Sequence, residues 1–132
     1  MVFENSLGPF PICFMNNRQA TIIAGVLGFT GVFFGAFGAH MLREMLAKLG
    51  TTEFWHTAVF YQLVHAVVLL VLGGWRPLPR LAYYLVLAGV ILFSGSLYAL
   101  ALTNLKWIAL ITPLGGFGML FGWLAAVFRN AD

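Results

Sequence analysis

Four long stretches of the chain lack Asp, Glu, Lys and Arg, and together they take up most of its length. They cover residues 19–42, 54–75, 81–105 and 107–128. A helix of about 20 apolar residues, rising 1.5 Å per residue, spans the roughly 30 Å of hydrocarbon in a bilayer. Because the apolar runs are continuous rather than alternating, they predict membrane-spanning α-helices and not barrel strands. We number them spans 1 to 4.

The predicted fold is therefore an all-α polytopic membrane protein, a four-transmembrane-helix bundle with both termini on the same side. We expect a single domain at 18–129, with spans at about 19–41, 54–74, 81–102 and 107–128, after an N-terminal extension at 1–17. Met15 is an alternative start of the chain. The apolar core of span 1 is longer than that of a signal peptide, so we expect this helix to be retained.

The connection between spans 1 and 2 has an amphipathic pattern. Apolar residues recur there at helical spacing, opposite charged ones; the apolar set is Met41, Leu42, Met45, Leu46 and Leu49, and the charged set is Arg43, Glu44 and Lys48. The pattern predicts a short helix at the membrane interface or an extension of span 1. Gly50 is expected to end it, and Thr51 or Thr52 to cap span 2.

Spans 1 and 4 carry glycines at intervals of three or four residues. In lipid, small residues hold helices together because they let backbones approach closely. We therefore predict that spans 1 and 4 form a close pair, within one chain or across a homodimer. Pro113 predicts a kink inside span 4. The glycines are Gly25, Gly28, Gly31, Gly35 and Gly38 in span 1, and Gly115, Gly118 and Gly122 in span 4.

Span 2 carries the strongest candidate for a functional site. Thr57, Tyr61 and His65 are spaced by four residues and share a helix face, with Gln62 beside them. Polar residues inside a membrane need partners, and we expect a cluster with the polar residues of span 3. Two interpretations remain open: a proton-relay or small-ligand site, or a hydrogen-bond network that only holds the bundle together. The span 3 candidates are Ser94, Ser96 and Tyr98.

Composition and charge exclude some classes of protein. Only 8% of the 132 residues are charged, against about 25% in soluble domains. The basic residues are scattered, so no nucleic-acid-binding face is predicted. The single cysteine, Cys13, gives no internal disulfide.

Three residues expected near the interface carry side chains of the types that bind metals. Glu53 and His56 have the Glu-x-x-His spacing of di-iron bundles, but such sites need a second copy and further carboxylates. A haem or metal contact through His40 and His56 stays open as an alternative. We predict no catalytic residue, no metal and no cofactor.

The basic residues also bear on orientation. Four fall on the side of the termini and three on the opposite side, which favours cytoplasmic termini. The first set is Arg18, Arg76, Arg80 and Arg129, and the second is Arg43, Lys48 and Lys106.

Four sequence strings, in order, resemble a known family. They are GAFGAH at 35–40, TAVFYQLVHA at 57–66, FSGSLYAL at 93–100 and ITPLGG at 111–116. Over about residues 20–128 the chain resembles the domain-of-unknown-function family 423, which groups bacterial YgdD-like and animal transmembrane-protein-256-like proteins. The resemblance implies a small four-span membrane protein, located in bacteria in the inner or plasma membrane. It implies no activity and no catalytic residues.

Three functions are compatible with these features. The first is a non-enzymatic accessory subunit that docks onto a larger membrane complex, or onto itself as a homo-oligomer, within the lipid bilayer. The second is an oligomeric transporter or channel for a small solute or protons, using the polar face of spans 2 and 3. The third is an intramembrane enzyme or cofactor carrier that uses His40, His56 and His65.

Overall fold

The computed structural model describes residues 14–129, which form five α-helices and one 3-10 helix without any strand. The helices are α1 (Asn17–His40), α2 (Arg43–Leu49), α3 (Thr52–Gly74), α4 (Arg80–Thr103), the 3-10 helix (Lys106–Leu110) and α5 (Thr112–Val127). Four segments are long and apolar enough to cross a membrane: α1, α3, α4, and the 3-10 helix together with α5. The predicted all-α four-span fold is confirmed, with α2 as the short segment between spans 1 and 2.

The helices pack in the order α1, α3, α4, α5, each against the next. The central pair buries the most: eight residues of α3 and ten of α4 are buried, against four of α1 and three of α5. The core of the bundle therefore lies between α3 and α4, and the outer helices α1 and α5 present broad apolar surfaces to the lipid.

The prediction that spans 1 and 4 pair is wrong within the chain, because described residues of α1 and α5 do not pack against each other. The glycines of α5 face α4 instead: a Cβ added to Gly115 would lie 2.7 Å from the carbonyl oxygen of Gly89, and one on Gly118 2.9 Å from Gly89 Cα. In α1, a Cβ on Gly31 would lie 2.7 Å from a methyl carbon of Leu63 in α3. Short connections make sequential spans antiparallel neighbours, so each glycine stripe meets the span next to it in sequence.

The fourth span is not one continuous α-helix. The 3-10 helix ends at Leu110, and α5 begins at Thr112 with Pro113 in its first turn. A proline in the first turn of a helix removes no helical hydrogen bond, because the N–H groups there have no partner within the helix. The kink expected inside an α-helix is thus replaced by a change of helix type just before Pro113. The Thr112 hydroxyl, 2.7 Å from Ser96 Oγ, ties this junction to α4.

The C-terminal ends of α2 and α4 follow from local chemistry, whereas the start of α3 differs from the prediction. Gly50 ends α2 in the left-handed conformation (φ 69°), as predicted, and Asn104 does the same for α4 (φ 54°). Thr51 occupies the capping position of α3, but its hydroxyl makes no cap bond. It donates instead to the carbonyl oxygen of Ala101 at 2.7 Å, which links the start of α3 to the end of α4.

The residues before α1 pack onto the bundle as far as they are described. Met15 is buried in the core, and Asn16 caps α1. The Asn17 amide donates to the carbonyl oxygens of Gly73 and Trp75, both at 2.8 Å. Residues 14–17, assigned above to the extension, are thus part of the bundle, whereas residues 1–13, with Cys13, lie outside the described residues.

Candidate functional site

The polar residues predicted to form one cluster do not come together. Gln62 and His65 belong to two groups on different sides of α3, and the serines bond elsewhere. Gln62 lies toward α1 and α4, where it bonds to Leu27 and Tyr98. His65 lies toward α5, where it contacts Trp123. We call the first group the Gln62 network, and the space beside the second group the His65 cavity.

In the Gln62 network, both ends of a buried amide are hydrogen-bonded. Gln62 Nε2 donates to the carbonyl oxygen of Leu27 at 3.0 Å and to Thr30 Oγ1 at 2.9 Å. Its Oε1 accepts from the Tyr98 hydroxyl at 2.7 Å. A single side chain of α3 therefore joins α1 and α4, and the amide has both its hydrogens and its oxygen in use.

An aromatic cluster covers the network on the side nearer to α2. The Tyr98 ring meets Trp55 edge-on at 4.7 Å and Phe34 at 5.1 Å. Trp55 Nε1 donates to the carbonyl oxygen of Phe34 at 2.9 Å. Gly38 makes room for this indole, since a Cβ there would lie 2.5 Å from Trp55 Cδ1.

The two predicted serines bond elsewhere. Ser94 Oγ donates to the carbonyl oxygen of Ala58 at 2.8 Å, between α4 and α3. Ser96 Oγ donates to the carbonyl oxygen of Phe93 at 2.9 Å and pairs with Thr112. Thr57 is half-buried, and its side chain makes no hydrogen bond within residues 14–129. None of the three joins Gln62 or His65.

His65 has both ring nitrogens occupied. Nδ1 lies 2.9 Å from the carbonyl oxygen of Tyr61, and Trp123 Nε1 donates to Nε2 at 3.3 Å. A carbonyl can only accept and an indole N–H can only donate, so these partners assign the hydrogen to Nδ1 and leave Nε2 as the acceptor. The contact between Trp123 and His65 links α3 to α5.

The His65 cavity lies between α3, α4 and α5 and measures about 470 Å³. That volume is in the range of small-molecule sites. The Tyr61 ring stacks on His65 at 5.9 Å and tilts against Phe93 at 4.5 Å. Phe117 and Leu120 also line the cavity and are more than half exposed, so the cavity opens toward the lipid. No charged side chain lines it.

The interface candidates lie apart from both groups. His40, Glu53 and His56 are all exposed. His56 and Arg43 line a surface pocket of about 490 Å³ between α1, α2 and α3. Across residues 14–129, no three His, Cys, Asp or Glu side chains come close enough together to hold a metal ion.

The sequence analysis missed four hydrogen-bonding side chains inside the spans. Thr30, Trp55 and Trp123 belong to the groups described above, and Tyr83 lies outside them. Tyr83 is fully buried and donates to the carbonyl oxygen of Ala20 at 2.6 Å, which joins α4 to α1. Each of the four brings a donor into a span, which is the same signal that singled out Gln62 and Tyr98.

Comparison with known proteins identifies the family. A sequence profile described as "Protein of unknown function (DUF423)" matches residues 34–116. The chain belongs to the DUF423 family. The matched region includes Gln62, His65 and Tyr98 and ends before Trp123. The resemblance stated from the sequence strings is confirmed.

Relatives of this DUF423 chain are named as UPF0382 membrane proteins. One from Staphylococcus aureus is 38% identical over 114 residues, covering 83% of this chain and 93% of the relative. YwdK of Bacillus subtilis is 36% identical, covering 80% and 90%. The inner membrane protein YgdD of Escherichia coli is 39% identical, covering 83% and 86%. No solved structure matches significantly. The chain is thus a small integral membrane protein of a family without an assigned biochemical function.

Proposed function

We propose that this DUF423 protein is a non-enzymatic accessory subunit that associates with a larger membrane complex. The supporting observation is that its fully buried intramembrane polar side chains are hydrogen-bonded inside the bundle. Gln62, His65 and Ser94 are buried and all hydrogen-bonded. Within residues 14–129, the one buried side-chain nitrogen or oxygen without a partner is Asn104 Oδ1, at the end of α4. Polar side chains that are hydrogen-bonded inside the bundle stabilise it. Few polar side chains then remain to line a path for a polar solute.

The outer face of α1 is the proposed contact surface. Val26, Phe29 and Val32 are more than half exposed there. Gly25 lies between them and the start of the helix, and a Cβ added to it would meet no atom within 4 Å. A glycine among bulky side chains leaves a notch into which a helix of another protein can pack closely. None of residues 14–129 fills the notch, so it can receive a side chain of a partner.

Two matched variants test this association. Gly25→Leu fills the notch on α1, and Gly95→Leu fills an equally open position on α4. Tagged protein is cross-linked in native membranes and purified in mild detergent. The amount of any co-purifying chain is then measured relative to the tagged protein. We expect a stoichiometric partner with the wild type and with Gly95→Leu, and much less with Gly25→Leu. Bare chain from all three preparations, or equal recovery with both variants, would overturn the proposal. Recovery of only a second, differently tagged copy would point to a homo-oligomer instead.

The alternative, an oligomeric transporter or channel, has less support in the geometry. The Gln62 network and His65 lie on different sides of α3, and no hydrogen bond within residues 14–129 joins them. Flux of protons and small solutes into liposomes with the purified protein is the test. We expect none, and a flux that disappears in Gln62→Leu would favour transport.

We also propose that the protein lies in a bacterial inner membrane with cytoplasmic termini. The termini side carries four arginines against three basic residues on the other side, and the Escherichia coli relatives are named inner membrane proteins. A C-terminal reporter that works only in the cytoplasm should be active. An expressed but inactive fusion would reverse the orientation.

A further inference from the structure

Tyr61, which lines the His65 cavity, has a hydroxyl without a hydrogen-bond partner among residues 14–129. Tyr61 is nine residues beyond the first residue of α3, which is about 14 Å along the helix and well inside the hydrocarbon. Its ring lines the cavity, yet its hydroxyl makes no hydrogen bond to any of residues 14–129. In lipid, water is not available to satisfy such a group, so leaving it unpaired is costly. A bound molecule with an acceptor oxygen would satisfy it.

The walls of the cavity restrict what that molecule can be. No Asp, Glu, Lys or Arg lines the cavity, and both ring nitrogens of His65 are already engaged by Tyr61 and Trp123. A charged ligand would therefore be an unpaired charge in the membrane, which is strongly unfavourable. The rings of Tyr61, Phe93, Phe117 and Trp123 line the space. Aromatic walls favour a flat ring, which stacks or packs edge-on against them.

We propose that the His65 cavity binds a neutral, membrane-soluble ring compound with a carbonyl oxygen, the chemical class of the lipid-soluble quinones. The Tyr61 hydroxyl donates a hydrogen bond to that carbonyl. The ligand enters from the bilayer past Phe117 and Leu120, the exposed lining residues. This site goes beyond the proposed partner contact: it lies between α3, α4 and α5, whereas that contact lies on α1. A negative result for the ligand site therefore does not refute the partner contact on α1, and a negative result for that contact does not refute the ligand site.

Binding of decylubiquinone to the purified protein in detergent tests the proposal, with quenching of tryptophan fluorescence as the readout. We expect saturable binding to the wild type. Tyr61→Phe removes only the hydroxyl and should weaken binding by about tenfold, the loss of one hydrogen bond. Tyr84→Phe is the matched control, because Tyr84 is an exposed tyrosine of α4 outside the cavity. Its binding should equal that of the wild type.

A second variant blocks the cavity without disturbing the backbone. A Cβ on Gly116 would meet only Phe93 Cδ2, at 3.9 Å, so Gly116→Leu can place its side chain in the cavity. It should abolish saturable binding while thermal stability is kept. Decylbenzene, which has the tail but no carbonyl and does not itself quench, is measured by competition with decylubiquinone and should compete equally well in the wild type and in Tyr61→Phe. Quenching that rises linearly with quinone, as in simple partition into micelles, would overturn the proposal. Wild-type binding in both Tyr61→Phe and Gly116→Leu would do the same.

Discussion

Two adjacent glycines of α5 face different surroundings, and replacing each by alanine tests how α5 is held. A Cβ on Gly115 would lie 2.7 Å from the carbonyl oxygen of Gly89 and 2.8 Å from Phe93 Cα. These are backbone atoms of α4, which no side-chain rotation can move away. A Cβ on Gly116 would make only ordinary contact with the Phe93 ring. Gly115→Ala therefore forces α5 away from α4, whereas Gly116→Ala leaves the helices in place.

The expected difference in the free energy of unfolding follows from two effects. Both substitutions gain the same helix propensity, at most about 1 kcal/mol for glycine to alanine. Only Gly115→Ala forces an extra group into a packed interface, which costs roughly 1–3 kcal/mol. Because the propensity gain cancels between the variants, we expect Gly115→Ala to be less stable than Gly116→Ala by about 2–3 kcal/mol, toward the upper part of that range for a clash with backbone.

Unfolding by SDS in mixed micelles, followed by circular dichroism, measures this difference. The wild type should fall between the two variants or close to Gly116→Ala. Equal stability of Gly115→Ala and Gly116→Ala would refute the close backbone contact between α4 and α5. So would a lower stability of Gly116→Ala.

Two further predictions use the same assay. Gln62→Leu leaves the Tyr98 hydroxyl without its acceptor, so we expect a loss of about 1–3 kcal/mol. Adding Tyr98→Phe to Gln62→Leu should then cost less than Tyr98→Phe costs alone, and strictly additive losses would contradict the bond between them. Gly38→Ala drives a methyl group into the buried Trp55 indole and should cost roughly 1–3 kcal/mol, whereas Gly25→Ala, with open space around it, should cost nothing. Similar losses at the two glycines would show that the indole does not lie against Gly38.

The sequence predicted the four spans because the absence of charge over about 20 residues is a local property. Span 2 shows how closely this works: it was expected at about 54–74, and α3 covers Thr52–Gly74. Which helices pack against each other could not be predicted from such a local property. Glycines recur similarly in spans 1 and 4, and their spacing gives the face on which they lie but not the helix that meets this face. The packing order decides that, and it places α4 against Gly115 and α3 against Gly31.

The polar site divided for a related reason. Gln62 and His65 are three residues apart, so they point about 60° apart on the helix. In an isolated helix they would count as one face. In the bundle α3 touches several neighbours, and that angle is enough to direct Gln62 to α1 and His65 to α5. Trp123 was not predicted as a partner because it lies 58 residues from His65 along the chain, and no local pattern connects them.

The most direct test of the accessory role is the mass of the assembly released from native membranes, measured by native mass spectrometry. The proposal predicts a particle in which this 14.5 kDa chain is joined to at least one different chain, and predicts that Gly25→Leu reduces this particle while Gly95→Leu preserves it. A mass equal to one chain, or to whole multiples of 14.5 kDa only, would contradict the proposed association with another protein.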